Sequence, residues 1–311
     1  MTLKKLAAGS GYEYLTRQVA AADSTELGRT RLVDYYEAKG EAPGRWAGSG
    51  LVGVDAIEYG DVVTSEQMSN LFGDGRHPVG GAALGRRFGK TSVAGFDLTF
   101  SPAKSVSTLW AIAPPEVASK IQQAHTAAVQ EALAFLESHA IFTREGAGGA
   151  RQVETRGLIA AAFTHRDSRA GDPDLHTHVA VAKKVQTRAG KWLSIYGTIL
   201  HEHVVAASEA YNSALEAHLH ARLGVRFVDV PRPGGKRPVR EIAGVDTALI
   251  KLWSKRRANI EDRVTVLASE FTERHGRPPT AKEAIALAQR ANLETRQAKH
   301  EPRSEAEQRA A

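Results

Sequence analysis

Two histidines one residue apart, His176 and His178, stand in the run Asp174-Leu175-His176-Thr177-His178-Val179-Ala180-Val181. The run has strand character, and alternate side chains of a strand share a face, so both imidazoles can reach one ion. A third histidine, His165, follows the apolar run Leu158-Ile159-Ala160-Ala161-Ala162-Phe163-Thr164. Ser168, Gly171, Asp172 and Pro173 lie between the two runs and supply loop chemistry. An antiparallel hairpin would bring His165 beside the pair, giving three neutral nitrogen donors and open coordination positions. A second His-x-His, His201-Glu202-His203, serves as an internal control. It falls where a helix begins, so its rings would point about 200° apart and play a structural or solvent-facing part.

A nucleophile is also within view. Tyr12 and Tyr14 follow the flexible Gly9-Ser10-Gly11, and Tyr35-Tyr36 follow further on, so four of the seven tyrosines fall in the first 36 residues. A free phenol titrates near pH ~10 and needs a base or a cation to attack at neutral pH. On residue type alone these tyrosines read as core or interface aromatics. Asp97 stands in Val93–Ser101, which alternates as a strand with Phe96, Leu98 and Phe100 on one face and Asp97, Thr99 and Ser101 on the other. A carboxylate on such a strand needs a partner. If this strand neighbours the histidine hairpin, Asp97 can accept the spare ring N–H of a metal-bound histidine; otherwise it is an N-cap or half of an ion pair.

The elements that would carry these groups are legible in outline. Residues 37–60, rich in Gly, Pro and Ser around Trp46, predict a loop or irregular insertion. Thr64-Ser65-Glu66-Gln67 predicts a capping box ahead of a short helix ending at Gly73. Pro114-Pro115-Glu116 opens a helix through Ile121, Ala124, Ala128 and Leu136. Lys183 to Trp192 predicts a second hairpin turning at Ala189-Gly190, and Ser208 to Leu223 an amphipathic helix stopped by Gly224. Val225 to Val230 alternates as a strand. Arg232, Lys236, Arg237 and Arg240 predict a basic loop, and Lys251, Lys255, Arg256 and Arg257 a basic helical face. Thr280 to Glu283 caps a final helix, and 301–311 is polar without apolar period, which predicts disorder.

Composition limits the function. The chain has 311 residues, 42% hydrophobic and 24% charged, enough for a substantial core. It has no cysteine, which excludes disulfides and thiolate ligands. No apolar run approaches the ~20 residues of a membrane span, and the N-terminus lacks the apolar core of a secretory signal. A cytoplasmic protein is expected. The net charge of +6 suits a polyanionic partner, nucleic acid first. Gly85-Arg86-Arg87-Phe88-Gly89-Lys90-Thr91 imitates a phosphate-binding loop, but Leu84 occupies the required glycine position, so no nucleotide site is expected. Arg86 and Arg87 are then candidates for a nucleic-acid backbone.

Four stretches together resemble the relaxase domain of conjugative relaxases of the TrwC/TraI (MobF) class, in the HUH endonuclease superfamily. They are Gly95–Ser107, Phe163-Thr164-His165-Arg166-Asp167-Ser168-Arg169, Asp172–His178 and Tyr211-Asn212-Ser213-Ala214-Leu215. The resemblance runs from about residue 8 to about 300. It implies an α+β fold: a central antiparallel sheet flanked by helices, a relaxase-like palm with a more mobile helical C-terminal part. Residues 1–300 would form the relaxase domain and 301–311 a tail.

The implied activity is nicking and rejoining of one DNA strand at a plasmid or integrative-element transfer origin, through a 5′-phosphotyrosine intermediate. His165, His176 and His178 would hold a divalent ion, Mg²⁺ or Mn²⁺, with Zn²⁺ also compatible. Asp97 would orient a ligand or take the tyrosine proton. The nucleophile would come from the first tyrosine pair. Glu13 separates that pair where the family has adjacent tyrosines; Leu15 continues the family pattern after Tyr14 and favours it over Tyr12. Tyr35 and Tyr36 are further catalytic candidates. Arg169 would meet DNA near the scissile phosphate, with Lys104, Arg86, Arg87, Lys236, Arg237, Lys255 and Arg256 as further DNA contacts. The partners would be single-stranded DNA, an adjacent DNA hairpin and other transfer proteins. No motor segment is evident, so the chain reads as a fragment or a stand-alone relaxase. Three other readings use part of the same features: a rolling-circle replication initiator, a three-histidine zinc hydrolase, and a DNA-binding module without catalysis.

Overall fold

The computed structural model describes residues 1–16, 42–89, 91–232, 237–296, 303, 307 and 308. Tyr35, Tyr36 and Lys236 lie outside the described residues, as does most of 301–311. The chain opens with strand β1 (Thr2–Ala7) and one helical turn, α1 (Glu13–Thr16), followed by β2 (Arg45–Ala47). Helix α2 (Ser65–Met68) runs into a π-helical stretch over Ser69–Asp74. Next come β3 (Val93–Phe100), α3 (Lys104–Ile112) and the long α4 (Pro115–His139). Four strands follow: β4 (Phe142–Glu145), β5 (Arg151–Glu154), β6 (Ala160–Asp167) and β7 (Pro173–Ala182). Strands β8 (Lys184–Gln186) and β9 (Trp192–Ser194), helices α5 (Gly197–Glu202) and α6 (Val204–Leu223), and strands β10 (Phe227–Val230) and β11 (Val239–Ile242) follow. Helices α7 (Thr247–Leu252), α8 (Lys255–His275) and α9 (Ala281–Glu294) come last.

The principal sheet has five antiparallel strands in the order β1-β3-β7-β6-β2, which places β7 at its centre. A strand stretch covered on both sides must be apolar in both parities, and the second half of β7 is: Val179 and Val181 are buried on one face, Ala180 and Ala182 on the other. The first face packs α3, α4 and α6, through Phe96, Leu98 and Phe100 against Trp110, Ile121, Tyr211 and Leu215. Ala124, Ala128 and Ala132 fall at helical spacing along α4 and are buried in that core. The second face is covered by irregular chain: Tyr12, Leu15, Trp46, Leu51, Met68 and Phe72 close over Ala94, Ala161, Phe163 and Ala180. All three histidines and Asp97 belong to this second face.

Most elements agree with the sequence reading, and the exceptions have physical reasons. The capping boxes at Thr64–Gln67 and Thr280–Glu283 both form. Gly224 closes α6 in the left-handed region, donating to the His220 carbonyl. Residues 37–60 are not all loop: Trp46 sits in β2, fully buried, with its indole N–H donating to Gln67. A three-residue strand has no period of its own, and its pairing with β6 creates it. The helix after Thr64 runs on through π-turns to Gly75, not Gly73. Arg240 lies on β11 rather than in a loop, bonded to Glu216 and Asp229. Strand β1 had no sequence signal; two adjacent lysines interrupt it, as suits a sheet edge.

Candidate active site

The site is built on the β6–β7 hairpin. Its turn is held by Ser168, whose N–H donates to the Asp172 carbonyl and whose hydroxyl accepts from Ala170 and Asp172. Gly171 takes φ +76, a backbone region that side chains disfavour. Asp172 is 2% exposed, lies beside the first backbone amides of α8 and pairs with Lys255 at 3.6 Å. Burial raises its pKa, while Lys104, Lys255 and those amides oppose the rise. The ladder is regular up to His165↔His176 and then shifts before Asp167↔Pro173, a bulge at the ligand end of the hairpin.

The regular pairing brings the three rings together. His165, His176 and His178 lie 5.2 Å apart, centroid to centroid, in every pairing. One nitrogen from each falls within 4.8 Å of the others. At that outer limit the point equidistant from all three is ~2.8 Å from each, against about 2.0–2.1 Å for a metal–imidazole bond, so sub-ångström ring shifts suffice. The hydrogen bonds also suit a metal. His178 Nδ1 lies 2.9 and 3.0 Å from the two Asp97 oxygens, and His176 Nδ1 lies 2.6 Å from the Asp174 carbonyl. Both acceptors assign the ring proton to Nδ1, which leaves Nε2 bare for coordination. The residues therefore fit a divalent ion.

Asp97, 1% exposed, joins the histidines to a phenol. One of its oxygens accepts the Tyr14 hydroxyl, and the Tyr14 ring stands edge-on to His178 at 6.0 Å. Burial, then the Asp97 charge, pushes the phenol well above its usual range, so it is protonated at neutral pH. The local fold explains why Tyr14 rather than Tyr12 arrives here. Tyr12 and Leu15, three residues apart on one side of a helical turn, are 8% and 0% exposed; Tyr12 packs beside Phe72. Tyr14 leaves from the other side. Gly11 makes the approach possible, since a Cβ there would run into the Ala7 carbonyl.

A cleft of roughly 700 Å³ opens over these groups. Tyr14, Asp97 and the three histidines line it together with Lys4, Lys5, Arg169, Arg256 and Arg296. Partial burial, then repulsion from Arg296 and Arg256, lowers the Arg169 pKa, as expected where three guanidiniums crowd an anion site. Helix α9 adds Gln289, Asn292 and Leu293 to the wall, and Asn292 accepts from Arg256 at 2.6 Å.

Other basic candidates sit elsewhere. Lys104 donates to the Pro173 carbonyl at 2.5 Å, and burial lowers its pKa; with Lys255 it braces the hairpin turn. Arg86 and Arg87 line a separate groove with Phe88, Lys183 and Lys184. Arg237 pairs with Glu209 at 2.6 Å. In the tail, Arg303 pairs with Asp167 at 2.8 Å. Lys4, Lys5 and Arg296 escaped sequence reasoning. For Lys4 the missed signal was the pairing Lys4↔Asp97, which no local pattern announces.

A sheet-borne trio of imidazoles with a carboxylate-bound tyrosine beside it is the arrangement of the HUH class. Comparison with known proteins gives the family: residues 8–311 match the TrwC relaxase model, and the chain belongs to that family. It is 29% identical to the multifunctional conjugation protein TraI of Escherichia coli over 237 residues, 74% of this chain and 13% of that protein. With TraI of strain K12 it shares 31% over 163 residues, 52% of this chain and 9% of that one. The chain thus spans a small fraction of the relatives it matches. Among solved structures it resembles the metal-bound conjugative relaxase TrwC in complex with oriT DNA, with TM-score 0.69 and 24% identity over 99% of this chain and 95% of that one. TrwC complexed with a 27-mer DNA comprising the recognition hairpin and the cleavage site gives TM-score 0.63 at 23% identity, with the same coverage. At such identity these likenesses speak for the fold. Among the described residues no helix is long and apolar enough to cross a membrane.

Proposed function

We propose that this chain nicks one strand of DNA at a transfer origin, with Tyr14 as nucleophile, and later reseals it. The observation that carries the reading is the double use of Asp97, which bonds the Tyr14 hydroxyl and the His178 Nδ1–H at once. As the Tyr14 oxygen attacks phosphorus, its proton passes to Asp97. The bond from phosphorus to the 3′ oxygen breaks, and that oxygen leaves as a hydroxyl after taking a proton from solvent. Phosphorus stays esterified, so attack by a 3′ hydroxyl reverses the step without an external energy source. His165, His176 and His178 would hold a divalent ion, which would supply Lewis-acid stabilisation of the negative charge that develops on the phosphate. Arg169, Arg256 and Arg296 bind the flanking phosphates.

Mn²⁺ or Mg²⁺ is the metal we assign, and Zn²⁺ is also compatible with three imidazole donors. The groove edged by the exposed Arg86 and Arg87 is a natural seat for adjacent duplex DNA, such as a hairpin stem. Other transfer proteins are expected partners, and the bacterial cytoplasm the expected place. A zinc hydrolase would leave the Tyr14–Asp97 contact without a role.

The test is intact-protein mass spectrometry after incubation with single-stranded transfer-origin DNA and Mn²⁺. A covalent adduct is expected in the wild type and in Tyr12→Phe, and none in Tyr14→Phe. An adduct of undiminished yield in Tyr14→Phe would remove Tyr14 from the reaction.

A further inference from the structure

On the opposite face of the histidine hairpin lies a buried polar chain that the reaction above does not use. His125, at the middle of α4, is 0% exposed in the helix-side core. Its Nδ1 is 2.8 Å from the hydroxyl of Tyr211 on α6, also fully buried. Its Nε2 is 2.8 Å from Thr177 Oγ1, and Thr177 Oγ1 is 2.9 Å from Thr164 Oγ1. The chain Tyr211–His125–Thr177–Thr164 thus crosses two helices and two strands.

We infer that His125 is a positioning residue for the three-histidine centre, acting through Thr177. Its place in the ladder carries the inference, which rests on the metal-centre reading above. Thr177 stands between His176 and His178 on β7, and Thr164 stands next to His165 on β6. The two threonines are direct cross-strand partners, one pair before His165↔His176, where regular pairing ends in the bulge. A clamp at this point holds the last regular rung, and the ligands hang from its two sides. An apolar residue would fill the same core space without the desolvation cost of a buried imidazole. Burial, then the proximity of His176, keeps the imidazole neutral, with its pKa lowered to about 3. A neutral ring has one N–H and one bare nitrogen, so one neighbour donates and the other accepts. Both sides of the ring are therefore committed, and the strand is tied to α4 and α6 at a single fixed spacing.

The experiment is calorimetric titration of Mn²⁺ into the full chain, well below every variant's melting temperature. His125→Leu and Thr177→Val are each expected to weaken Mn²⁺ binding by about 10–100-fold, the range for groups that orient metal ligands. His125→Gln, which keeps a donor and an acceptor, should recover most of the affinity. Leu133→Ala removes core volume from the same helix ~12 Å away, eight residues at about 1.5 Å each. It should lower the melting temperature and leave Mn²⁺ affinity unchanged, which separates positioning from plain stability. Wild-type affinity in both His125→Leu and Thr177→Val overturns the inference; if His125→Leu does not fold, Thr177→Val decides alone. The underlying reading fails differently: the wild type would then bind no Mn²⁺, or His178→Ala would bind it as well as the wild type.

Discussion

The chain contains His-x-His three times, at 176/178, 201/203 and 218/220, and the first two copies end in opposite circumstances. His176 and His178 occupy alternate positions of the central strand, point to one side, and meet His165 at 5.2 Å. His201 and His203 straddle the junction of α5 and α6. His201 is exposed, its ring edge against Phe96; His203 Nδ1 bonds the Ile199 carbonyl one turn back. The same three-letter pattern becomes a chelate on a strand and two separate side chains at a helix junction. Spacing is therefore information only together with the period of the backbone that carries it. The second lesson is one of support: each ring of the first pair has a fixed acceptor for its Nδ1, and the pair has a third imidazole across the ladder.

The sharpest way to break this contrast is to delete ligands from each copy. His176→Ala or His178→Ala should reduce Mn²⁺ affinity by more than about 100-fold, beyond the range for groups that merely orient ligands. Nicking at limiting metal should fall in parallel. His201→Ala and His203→Ala should leave both quantities within twofold. Equal losses in the two copies would end the comparison.

Asp97→Asn costs less affinity and separates two roles. The amide oxygen can still accept from His178, so Mn²⁺ affinity should drop by only about tenfold. It cannot take the phenol proton, and single-turnover adduct formation at saturating Mn²⁺ should slow by about 10²–10⁴-fold. Retention of the wild-type rate would show that the proton goes elsewhere.

The smallest effect concerns the charge state of His125, a buried histidine that is not itself a ligand. Its pKa is lowered from 6.5 to about 3 by burial. The unfolded chain therefore binds the extra proton between those values and the folded chain does not. Stability is thus lost as pH falls below ~6.5, by up to about 1.4 kcal/mol per pH unit from this group, and the loss levels off near the folded value. Urea titrations of the metal-free protein at pH 7 and pH 5 should show this slope in the wild type. In His125→Gln it should be shallower by roughly that amount per unit.

How much of this was legible beforehand follows from which interactions are local. The hairpin, the alternation of β3, the α4 and α6 stripes and both capping boxes rest on neighbours within a few residues, and each was readable. Asp97 was readable as a carboxylate in want of a partner. The choice between Tyr12 and Tyr14 depended on which face of one helical turn meets Phe72, which the sequence could only favour by the Leu15 that follows. Strands β1 and β2 exist because β3 and β6 offer them a free edge, so their own residues carried no announcement. Lys104 and Lys255 read as DNA contacts because they are basic, yet they brace the turn through Pro173 and Asp172. His125 carries no local signal, because its partners are 52 and 86 residues away.

The bulge that ends the regular β6–β7 ladder has a consequence for how this centre tolerates change. Beside it the Asp174 main-chain carbonyl meets the His176 ring, whereas His178 is steered by the Asp97 carboxylate. One ligand is thus aimed by the backbone, which survives replacement of any side chain at residue 174. The other is aimed by a group that a single nucleotide change can erase. The centre is hard-wired on one flank and fragile on the other, and drift in this lineage should be freer at residue 174 than at residue 97.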